Sequence, residues 1–202
     1  MKQQLVFATN NPHKIEEIRR QLGNQYTFRS LADIGCTEDI PETASTLESN
    51  ARLKAHHVKD GYGHDCFSED TGLEVQSLGN APGVDTAHYA GPQRNAEDNN
   101  AKLLSDLADR PNRLARFRTV ICLLLDGEEQ YFEGICEGRI ATAPLGNDGF
   151  GYDPVFVPTE GDGRTFAQMS PDEKVRLSHR GRAISKLQTF LRSRSDADRP
   201  TG

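Results

Sequence analysis

Hydrophobic and polar positions recur with two different periods along the chain, and these periods predict its elements. The apolar run within residues 3–8 predicts a buried strand. Ile15, Ile18 and Leu22 then follow at helical spacing, which predicts a helix over residues 12–22. A strand that leads directly into a helix is therefore the first expected unit.

Further amphipathic segments predict the remaining helices. They cover residues 46–60, 95–108 and about 180–192, and a short helix begins at Ser170. Ser45 and Glu48 fit a capping box at the start of the first of these helices, and Gly61 follows its end. Glu173 follows Ser170 with the spacing of a second capping box.

Short apolar runs between the helices predict strands. The run "DCFSED", residues 65–70, is expected to form a short strand that finishes in acids. "FRTVICLLLD" and "EQYFEGICEGRIAT" predict two strands joined as a hairpin by "DGEE". Helices and strands alternate and the strands then cluster, which favours an α/β or mixed-sheet domain with two lobes. We expect one domain over residues 1–192 and a polar, disordered tail over residues 193–202.

Composition and charge limit the classes of protein to which this chain can belong. Its 202 residues suffice for one large domain, or for two small lobes around a shared core. The net charge of −6 argues against a general nucleic-acid binder. No apolar run approaches the roughly 20 residues that cross a bilayer, and the first residues lack a signal-peptide pattern. We therefore expect a cytoplasmic protein with no membrane or nucleic-acid partner.

The four cysteines show no spacing that is typical of a metal site. Cys36, Cys66, Cys122 and Cys136 form no C-x-x-C pair, and none has a histidine at a zinc-like spacing. We therefore expect buried, reduced thiols without a catalytic or metal role.

The segment "ATNNPHK" combines a helix start with a cation. Asn11 is the expected N-cap, and Pro12 occupies the first helical position. The free N–H groups of a helix N-terminus suit phosphate. Lys14 lies about one turn inside and can reach the same anion, although its charge opposes the helix dipole. An ordinary, well-capped turn explains this segment at least as well, so the stretch alone leaves both interpretations open.

Acidic residues in two segments offer ligands for a hard cation. Glu69 and Asp70 are expected to end a strand, and Thr71 and Gly72 are expected to turn the chain. Alternation along the strand would point one carboxylate toward a cleft and the other away. Glu42 lies in a loop before a predicted helix. Oxygen ligands of this kind suit Mg²⁺, whereas the alternative is a solvated acidic turn.

The stretch "GNDGFGYDPVF", residues 146–156, combines glycines with aromatic residues. Phe150 and Tyr152 could form a stacking platform for a base, between glycines that leave room for a flat ligand. The alternative is an irregular loop whose aromatic side chains fill the core.

The stretch "SPDEKVRLSHRGRA" brings a second cluster of cations. Lys174 follows the capping box, and His179 and Arg180 stand at the start of the last helix. Arg180, like Lys14, occupies the unfavourable end of a helix dipole. A surface cap that pairs with carboxylates is the alternative. Together the four segments would suit a nucleoside triphosphate with Mg²⁺.

Seven stretches of the chain carry a resemblance to a known family. They are "ATNNPHK", "ETASTLESNARLKA", "SEDTGLEV", "NAPGVDTAHYAG", "ARFRTV", "GFGYDPVF" and "EKVRLSHRGRA". Their order and content resemble the noncanonical purine nucleoside triphosphate pyrophosphatases, also called inosine or xanthosine triphosphate pyrophosphatases. The resemblance implies an elongated, two-lobed α/β domain with a central mixed β-sheet flanked by helices, a nucleotide cleft between the lobes, and a homodimer. It implies Mg²⁺-dependent hydrolysis of ITP, dITP or XTP to the monophosphate and pyrophosphate.

The resemblance also implies roles for individual residues. Asp70 would be the general base and a metal ligand, and Glu42 would lie at the family's other acidic metal position. The residues implied to bind substrate are Thr9, Asn10, Asn11, Pro12, His13, Lys14, Thr71, Phe150, Gly151, Tyr152, Asp153, Lys174, His179 and Arg180. Hydrogen-bond donors at His179 and Arg180 would suit a 6-keto base and disfavour adenine.

Some positions depart from the family's pattern. Glu69 and Thr71 stand where many relatives have Asp and Ser, and Ala44 replaces a frequent glycine. His88 stands where an arginine is frequent, and Gln168 stands where an acid would be, so we place no metal there. Two other functions stay open at this point, a pyrophosphatase for other modified nucleotides and a nucleotide-binding protein without catalysis.

Overall fold

One mixed sheet organises the computed structural model, which describes residues 4–22 and 27–197, with side chains as far as residue 194. The strands are β1 (Gln4–Phe7), β2 (Thr27–Arg29), β3 (Cys66–Val75), β4 (Pro82–Gly83), β5 (Leu114–Leu125), β6 (Glu128–Ile140) and β7 (Phe156–Pro158). The helices are α1 (Pro12–Leu22), α2 (Leu47–Tyr62), α3 (Ala96–Asp106), α4 (Pro171–Leu177) and α5 (His179–Ala197). None of the helices within these ranges is long and apolar enough to cross a membrane.

The strand order confirms the predicted α/β fold with a mixed sheet. It runs β2-β1-β3-β5-β6-β7, with β4 paired to β3 beside this path. β1 pairs in parallel with β2 and β3, whereas β3, β5, β6 and β7 pair antiparallel. The predicted hairpin is β5–β6, and Asp126 and Gly127 take φ values of 52° and 83° in its two-residue turn. Positive φ at both positions is the geometry that follows the twist of the flanking strands.

Two long strands, β3 and β5, run through both lobes. Their ten residue pairs extend from Cys66 and Leu124 to Val75 and Ala115. One end of this ladder belongs to a core with α1 and α5, which includes Phe7, Phe67, Ile121 and Leu187. The other end belongs to a core with α3, which includes Leu73, Phe117, Phe156 and Phe166. The residues between the two ends therefore lie at the boundary between the lobes.

The predicted end of the third strand is wrong. Glu69 and Asp70 were expected to finish a strand before a turn at Thr71 and Gly72, but β3 continues without interruption to Val75. Thr71 pairs with Thr119 and Gly72 with Arg118, so the ladder to β5 extends the strand. Tertiary pairing thus overrides the turn signal of a Thr-Gly dipeptide, and it places the two acids in the middle of a strand.

Smaller differences concern helix ends. The N-cap of α2 is Thr46, whose side chain accepts a hydrogen bond from the Ser49 backbone, and not Ser45 as predicted. The helix also continues past Gly61 to Tyr62, and Gly63, with a φ of 72°, is its C-cap. α5 extends to Ala197, five residues beyond its predicted end. The rest of the predicted tail, residues 198–202, lies outside the described residues.

A close approach between β6 and α5 fixes the start of the last helix. A Cβ atom added to Gly134 would lie 1.9 Å from the carbonyl oxygen of His179 and 2.6 Å from the nitrogen of Ala183. Only glycine therefore lets the helix pack this closely on the sheet. The contact sets the position of His179 and of Arg180, the first two residues of α5.

Candidate active site

One cavity of about 650 Å³ opens at the boundary between the lobes. Its walls come from the N-terminus of α1, the middle of β3, the segment around residues 150–153, and the junction of α4 and α5. Every residue predicted to bind substrate or metal lines this cavity. Segments far apart in the chain thus meet as the sequence predicted.

The N-terminus of α1 forms one wall. The Asn11 side chain accepts hydrogen bonds from the backbone N–H groups of His13, at 3.0 Å, and of Lys14, at 3.3 Å. Thr9 in turn accepts one from the backbone of Asn11 at 3.1 Å. The predicted N-cap is therefore confirmed, and its side chain occupies the N–H groups that a phosphate would use.

Glu69 binds two of the predicted substrate cations. Lys14 Nζ lies 2.9 Å from its Oε1, and Arg180 forms a bidentate pair with it at 2.9 and 3.0 Å. Burial alone would raise the pKa of Glu69, but the charges of Arg180 and Lys14 outweigh burial and hold this pKa well below its ordinary value. The carboxylate is therefore ionised, and it supplies a negative counter-charge for Lys14 and Arg180. The sequence had suggested that a bound polyanion supplies this charge.

A second carboxylate group surrounds Lys174. Its ammonium lies 2.9 Å from Glu17 and 2.7 Å from Asp153. Glu17 also accepts a hydrogen bond from Arg180 at 2.8 Å, so it joins both cations. Burial lifts the pKa of Asp153 above its ordinary value despite the attraction of Lys174. For Glu17 the charges of Arg180 and Lys174 prevail over burial, and its pKa is lowered.

Asp70 lies in a separate group with Lys54 and Glu42. Lys54 Nζ is 3.1 Å from Asp70 Oδ1 and 2.5 Å from Glu42. Burial raises the pKa of Asp70 against the attraction of Lys54, and Glu42 contributes to this rise. Among the described residues, the other carboxylate oxygen, Oδ2, is buried without any hydrogen-bond partner. An orphaned acidic oxygen of this kind is costly in a folded protein unless a ligand or ion satisfies it.

The donor set around Asp70 fits a hard divalent cation. Carboxylate oxygens are the ligands that Mg²⁺ prefers. Asp70, with its unpartnered Oδ2, and Glu42 line the same cavity. The surrounding charge supports this fit. Within the described part of the chain, the groups above bring five carboxylates against four cations. A triphosphate entering such a site needs further positive charge.

The predicted stacking platform of Phe150 and Tyr152 differs from expectation in two respects. The ring of Phe150 is stacked on His13, with centroids 5.0 Å apart, and Lys174 lies over it at 4.4 Å. Tyr152 is buried and donates its hydroxyl proton to the Thr86 carbonyl, so it fills the core of its lobe as the alternative interpretation had it. Phe150 is thus the aromatic side chain available to a base, once the exposed His13 ring moves aside.

Gly149 serves a purpose other than the predicted one. The sequence suggested that glycines here leave room for a flat ligand. A Cβ atom on Gly149 would lie 2.1 Å from the Asp153 carboxylate, and the residue has a φ of 77°. The glycine therefore allows the loop to fold back on Asp153, whose carboxylate accepts the Phe150 backbone N–H at 2.8 Å.

His179 is buried at the floor of the cavity. Its ring stacks on Phe117 with centroids 4.4 Å apart. Burial, together with the nearby charges of Arg180 and Lys174, holds the pKa of His179 well below its ordinary value. The ring is therefore neutral, and its Nδ1 has no partner within the part of the chain that the structure describes. A neutral imidazole can present one donor and one acceptor to a ligand.

Sequence reasoning missed the roles of Lys54 and Glu17. Lys54 is a charged residue on the apolar face of α2, between Ala51 and Ala55, and this position was a usable signal of a buried ion pair. Glu17 carries no such signal, because its partners Lys174 and Arg180 lie 157 and 163 residues away.

The positions that depart from the family's pattern have structural partners. Arg94 donates a hydrogen bond to His88 at 2.8 Å, so a permanent charge adjoins His88 at the cavity's edge. Gln168 accepts a hydrogen bond from the Thr165 backbone in a capping box. Ala44 donates its backbone N–H to Asn50 at 2.9 Å.

Comparisons with known proteins agree with this fold. The model of the Ham1 family matches residues 5–190. A dITP/XTP pyrophosphatase from Flavobacterium psychrophilum is 54% identical over 190 residues, which cover 94% of this chain and 100% of that protein. One from Bacillus subtilis is 42% identical, with 92% of this chain and 96% of that protein covered. The structure of the Staphylococcus aureus Ham1 protein matches with a TM-score of 0.87 and 36% identity, over 95% of this chain and 100% of that chain.

Proposed function

The chain belongs to the Ham1 family, and we propose that its cavity hydrolyses noncanonical purine nucleoside triphosphates, such as ITP, dITP and XTP. The products are the nucleoside monophosphate and pyrophosphate. The observation that carries this proposal is the orphaned oxygen of Asp70. Asp70 lines the same cavity as three cations, Lys14, Lys174 and Arg180. Such an arrangement suits an attack by water on a polyanion.

Phosphate binding would use cations that are now held by carboxylates. Lys14 is paired with Glu69 and Lys174 with Asp153, and both have flexible ammonium groups, so each can turn from its carboxylate toward a phosphate oxygen. Arg180 is held by Glu69 on one side and by Glu17 on the other, at 3% exposure of its side chain. We propose that Arg180 mainly orients these two carboxylates, and that the lysines move.

Asp70 is the proposed general base. A water molecule positioned at its free Oδ2 would transfer a proton to that oxygen while attacking the α-phosphorus, and pyrophosphate would leave. Lys54 fixes the orientation of the carboxylate through Oδ1. A pKa raised by burial makes the carboxylate a better proton acceptor than an exposed aspartate would be.

The proposal includes Mg²⁺, held by Asp70 and Glu42. When bound, the ion would neutralise the negative charge on the phosphates while that charge shifts toward the pyrophosphate leaving group. Lys54 now forms an ion pair with both carboxylates, so it would reduce their mutual repulsion before the ion arrives. The excess of carboxylates in the cavity supports a need for this cation.

Base recognition is assigned to His179 and Phe150. A neutral His179 can donate a hydrogen bond to the 6-keto oxygen of hypoxanthine or xanthine, whereas adenine presents a donor at that position. Pairing two donors leaves both buried without an acceptor, which favours the keto bases. The Phe150 ring would stack on the base after His13 moves.

The proposal extends to a homodimer in the cytoplasm, where the nucleotide pool is found. The membership of the chain in the Ham1 family supports the homodimer. The large exposed apolar side chains are scattered over separate segments and mark no interface by themselves; they are Leu53, Leu114, Tyr131 and Leu145. Light scattering on the purified chain tests the dimer, and a monomeric mass would remove this part of the proposal alone.

A substrate panel with pyrophosphate detection tests the activity. We expect ITP, dITP and XTP to release pyrophosphate in the presence of Mg²⁺, well above GTP, ATP, dTTP and methylated pyrimidine triphosphates. If the protein prefers another modified nucleotide, the proposed substrate class is wrong. Release of orthophosphate would exclude the proposed cleavage between the α- and β-phosphates. Binding of ITP without any release would indicate a nucleotide-binding protein.

Asp70→Asn tests the proposed base. The variant keeps the shape of the side chain, so we expect it to lose turnover by at least about 100-fold while it still binds ITP. Asp162→Asn is the matched control, because Asp162 pairs with Arg164 on the surface. Normal turnover in Asp70→Asn would remove Asp70 from the mechanism.

A further inference from the structure

Three side chains that are ligands for transition metals meet outside the Asp70 group. Cys36 and Glu38 lie in the loop before α2, and His57 lies on α2. Their ligand atoms all fall within 4.8 Å of one another. The sequence did not predict this cluster, since the histidine stands 21 residues after the cysteine and fits no zinc spacing.

The cluster converges on one nitrogen. His57 Nε2 lies 3.9 Å from Cys36 Sγ and 2.9 Å from Glu38 Oε1. Around a tetrahedral zinc ion, Zn–S bonds of about 2.3 Å and Zn–N or Zn–O bonds of about 2.0–2.1 Å place neighbouring ligand atoms roughly 3.4–3.6 Å apart. The two separations from His57 Nε2 bracket this value, so changes of about half an ångström would suit those pairs. Cys36 Sγ and the Glu38 carboxylate, which lie within 4.8 Å of each other, would move closer around the ion.

Surrounding contacts hold the ligands in place and leave an approach from solvent. Tyr62 donates its hydroxyl proton to Glu38 at 3.1 Å, which orients the carboxylate as outer partners of metal ligands do. Cys36 is buried at 1% exposure, whereas the side chains of Glu38 and His57 are 51% and 32% exposed. A metal could therefore enter past Glu38 and reach the thiol.

We propose that Cys36, His57 and Glu38 form a Zn²⁺ site with an open fourth position. A thiolate and an imidazole nitrogen select zinc over Mg²⁺, which takes oxygen ligands. Binding displaces the Cys36 thiol proton to solvent, with no change in oxidation state. The ion joins the loop of residues 36–38 to α2. Since Glu38 lines the cavity and Glu42 follows four residues later, the site fixes one wall of the cavity.

Zinc binding to the full chain tests this site directly. The chain is stripped with a chelator, titrated with Zn²⁺ against a chromophoric competitor, and melted with and without the ion. We expect one equivalent of Zn²⁺, a higher melting temperature, and no displacement by excess Mg²⁺. Co²⁺ in its place should give a thiolate-to-metal charge-transfer band. A chain that takes up no zinc would overturn the proposal.

Variants assign the ligands. Cys36→Ser and His57→Gln should each weaken zinc binding by more than the roughly 10–100-fold expected for Tyr62→Phe, which removes only an outer partner. His56→Gln is the matched control, because His56 is the neighbouring residue on α2 and its side chain is also 32% exposed. If Cys36→Ser fails to fold, Glu38→Gln and His57→Gln, whose side chains reach the surface, decide whether the zinc site exists. Unchanged uptake in both would refute the site.

Discussion

The substitution Glu69→Gln tests whether the buried carboxylate holds the cations of the empty site. Glu69 is 1% exposed and contacts Lys14 and Arg180. Glutamine keeps the shape and one acceptor oxygen but turns the other position into a donor that faces the Arg180 guanidinium. The variant thus leaves two cations in a buried site with one counter-charge fewer, while Glu17 still pairs with Arg180.

The expected magnitude follows from the burial of the pair. Removing one partner from a buried ion pair costs about 3–5 kcal/mol. In a chain of this size each 1 kcal/mol lowers the melting temperature by about 2–4 °C, so Glu69→Gln should melt roughly 6–20 °C lower. Glu128→Gln, which removes an exposed pair with Arg194, should cost under about 1 kcal/mol.

Thermal melts at several pH values provide the assay. The folded-state pKa of Glu69 lies below the ordinary glutamate value of 4.5. Its ionised form therefore stabilises the fold fully above about pH 4.5, and this contribution is lost as the pH falls toward the folded pKa. The gap between wild type and variant should be widest above that pH and should shrink on acidification.

Inorganic triphosphate gives a second readout. With Glu69 replaced, Lys14 and Arg180 lack their anion, so added triphosphate should raise the melting temperature of the variant more than that of the wild type. A variant as stable as the wild type at neutral pH, with the same response to triphosphate, would refute the view that Glu69 is the counter-charge of the empty site.

Three further predictions address catalysis, selectivity and packing. The kcat/KM for ITP should rise with pH as Asp70 loses its proton, with a midpoint above 3.8, the ordinary pKa of aspartate. Lys54→Met should move this midpoint higher, because the Lys54 ammonium lowers the pKa of Asp70. An unchanged pH profile in that variant would contradict the pairing of Lys54 with Asp70. His179→Phe should lower kcat/KM for ITP roughly tenfold, the equivalent of one hydrogen bond, and leave ATP nearly unchanged, so equal losses exclude base recognition. Gly134→Ala should destabilise the chain by about 1–3 kcal/mol in urea melts through overpacking against α5, whereas Gly61→Ala, whose added Cβ would meet nothing within 4 Å, should not.

Local signals predicted the parts of the site that depend on neighbouring residues. Asn11 caps α1, and Ser170 with Glu173 forms the capping box of α4, because side-chain-to-backbone hydrogen bonds of this kind join residues at most three apart. The family motifs then predicted that segments from the whole chain lie at one nucleotide cleft. Pattern and motif together gave the fold class and the location of the site.

Pairing between distant segments escaped prediction. The sequence indicated a bound polyanion as the counter-charge of Lys14 and Arg180. In the structure, Glu69 pairs with both cations, and Glu17 also pairs with Arg180. A carboxylate at one position and a guanidinium 111 residues later leave no periodic signal. The continuation of β3 through Gly72 escaped for the same reason, since its cause is the ladder with β5.

The two acids on β3 sit where local opening of the chain cannot expose them. Asp70 pairs with Val120 and Glu69 with Ile121 in a ladder whose ends lie in different cores. Separating these strands requires both lobes to open together, so the backbone amides here should exchange with deuterium only through global unfolding. The segment around Phe150 belongs to no strand and can open alone. The molecule thus keeps its acids rigid and leaves adaptation to the base to that segment.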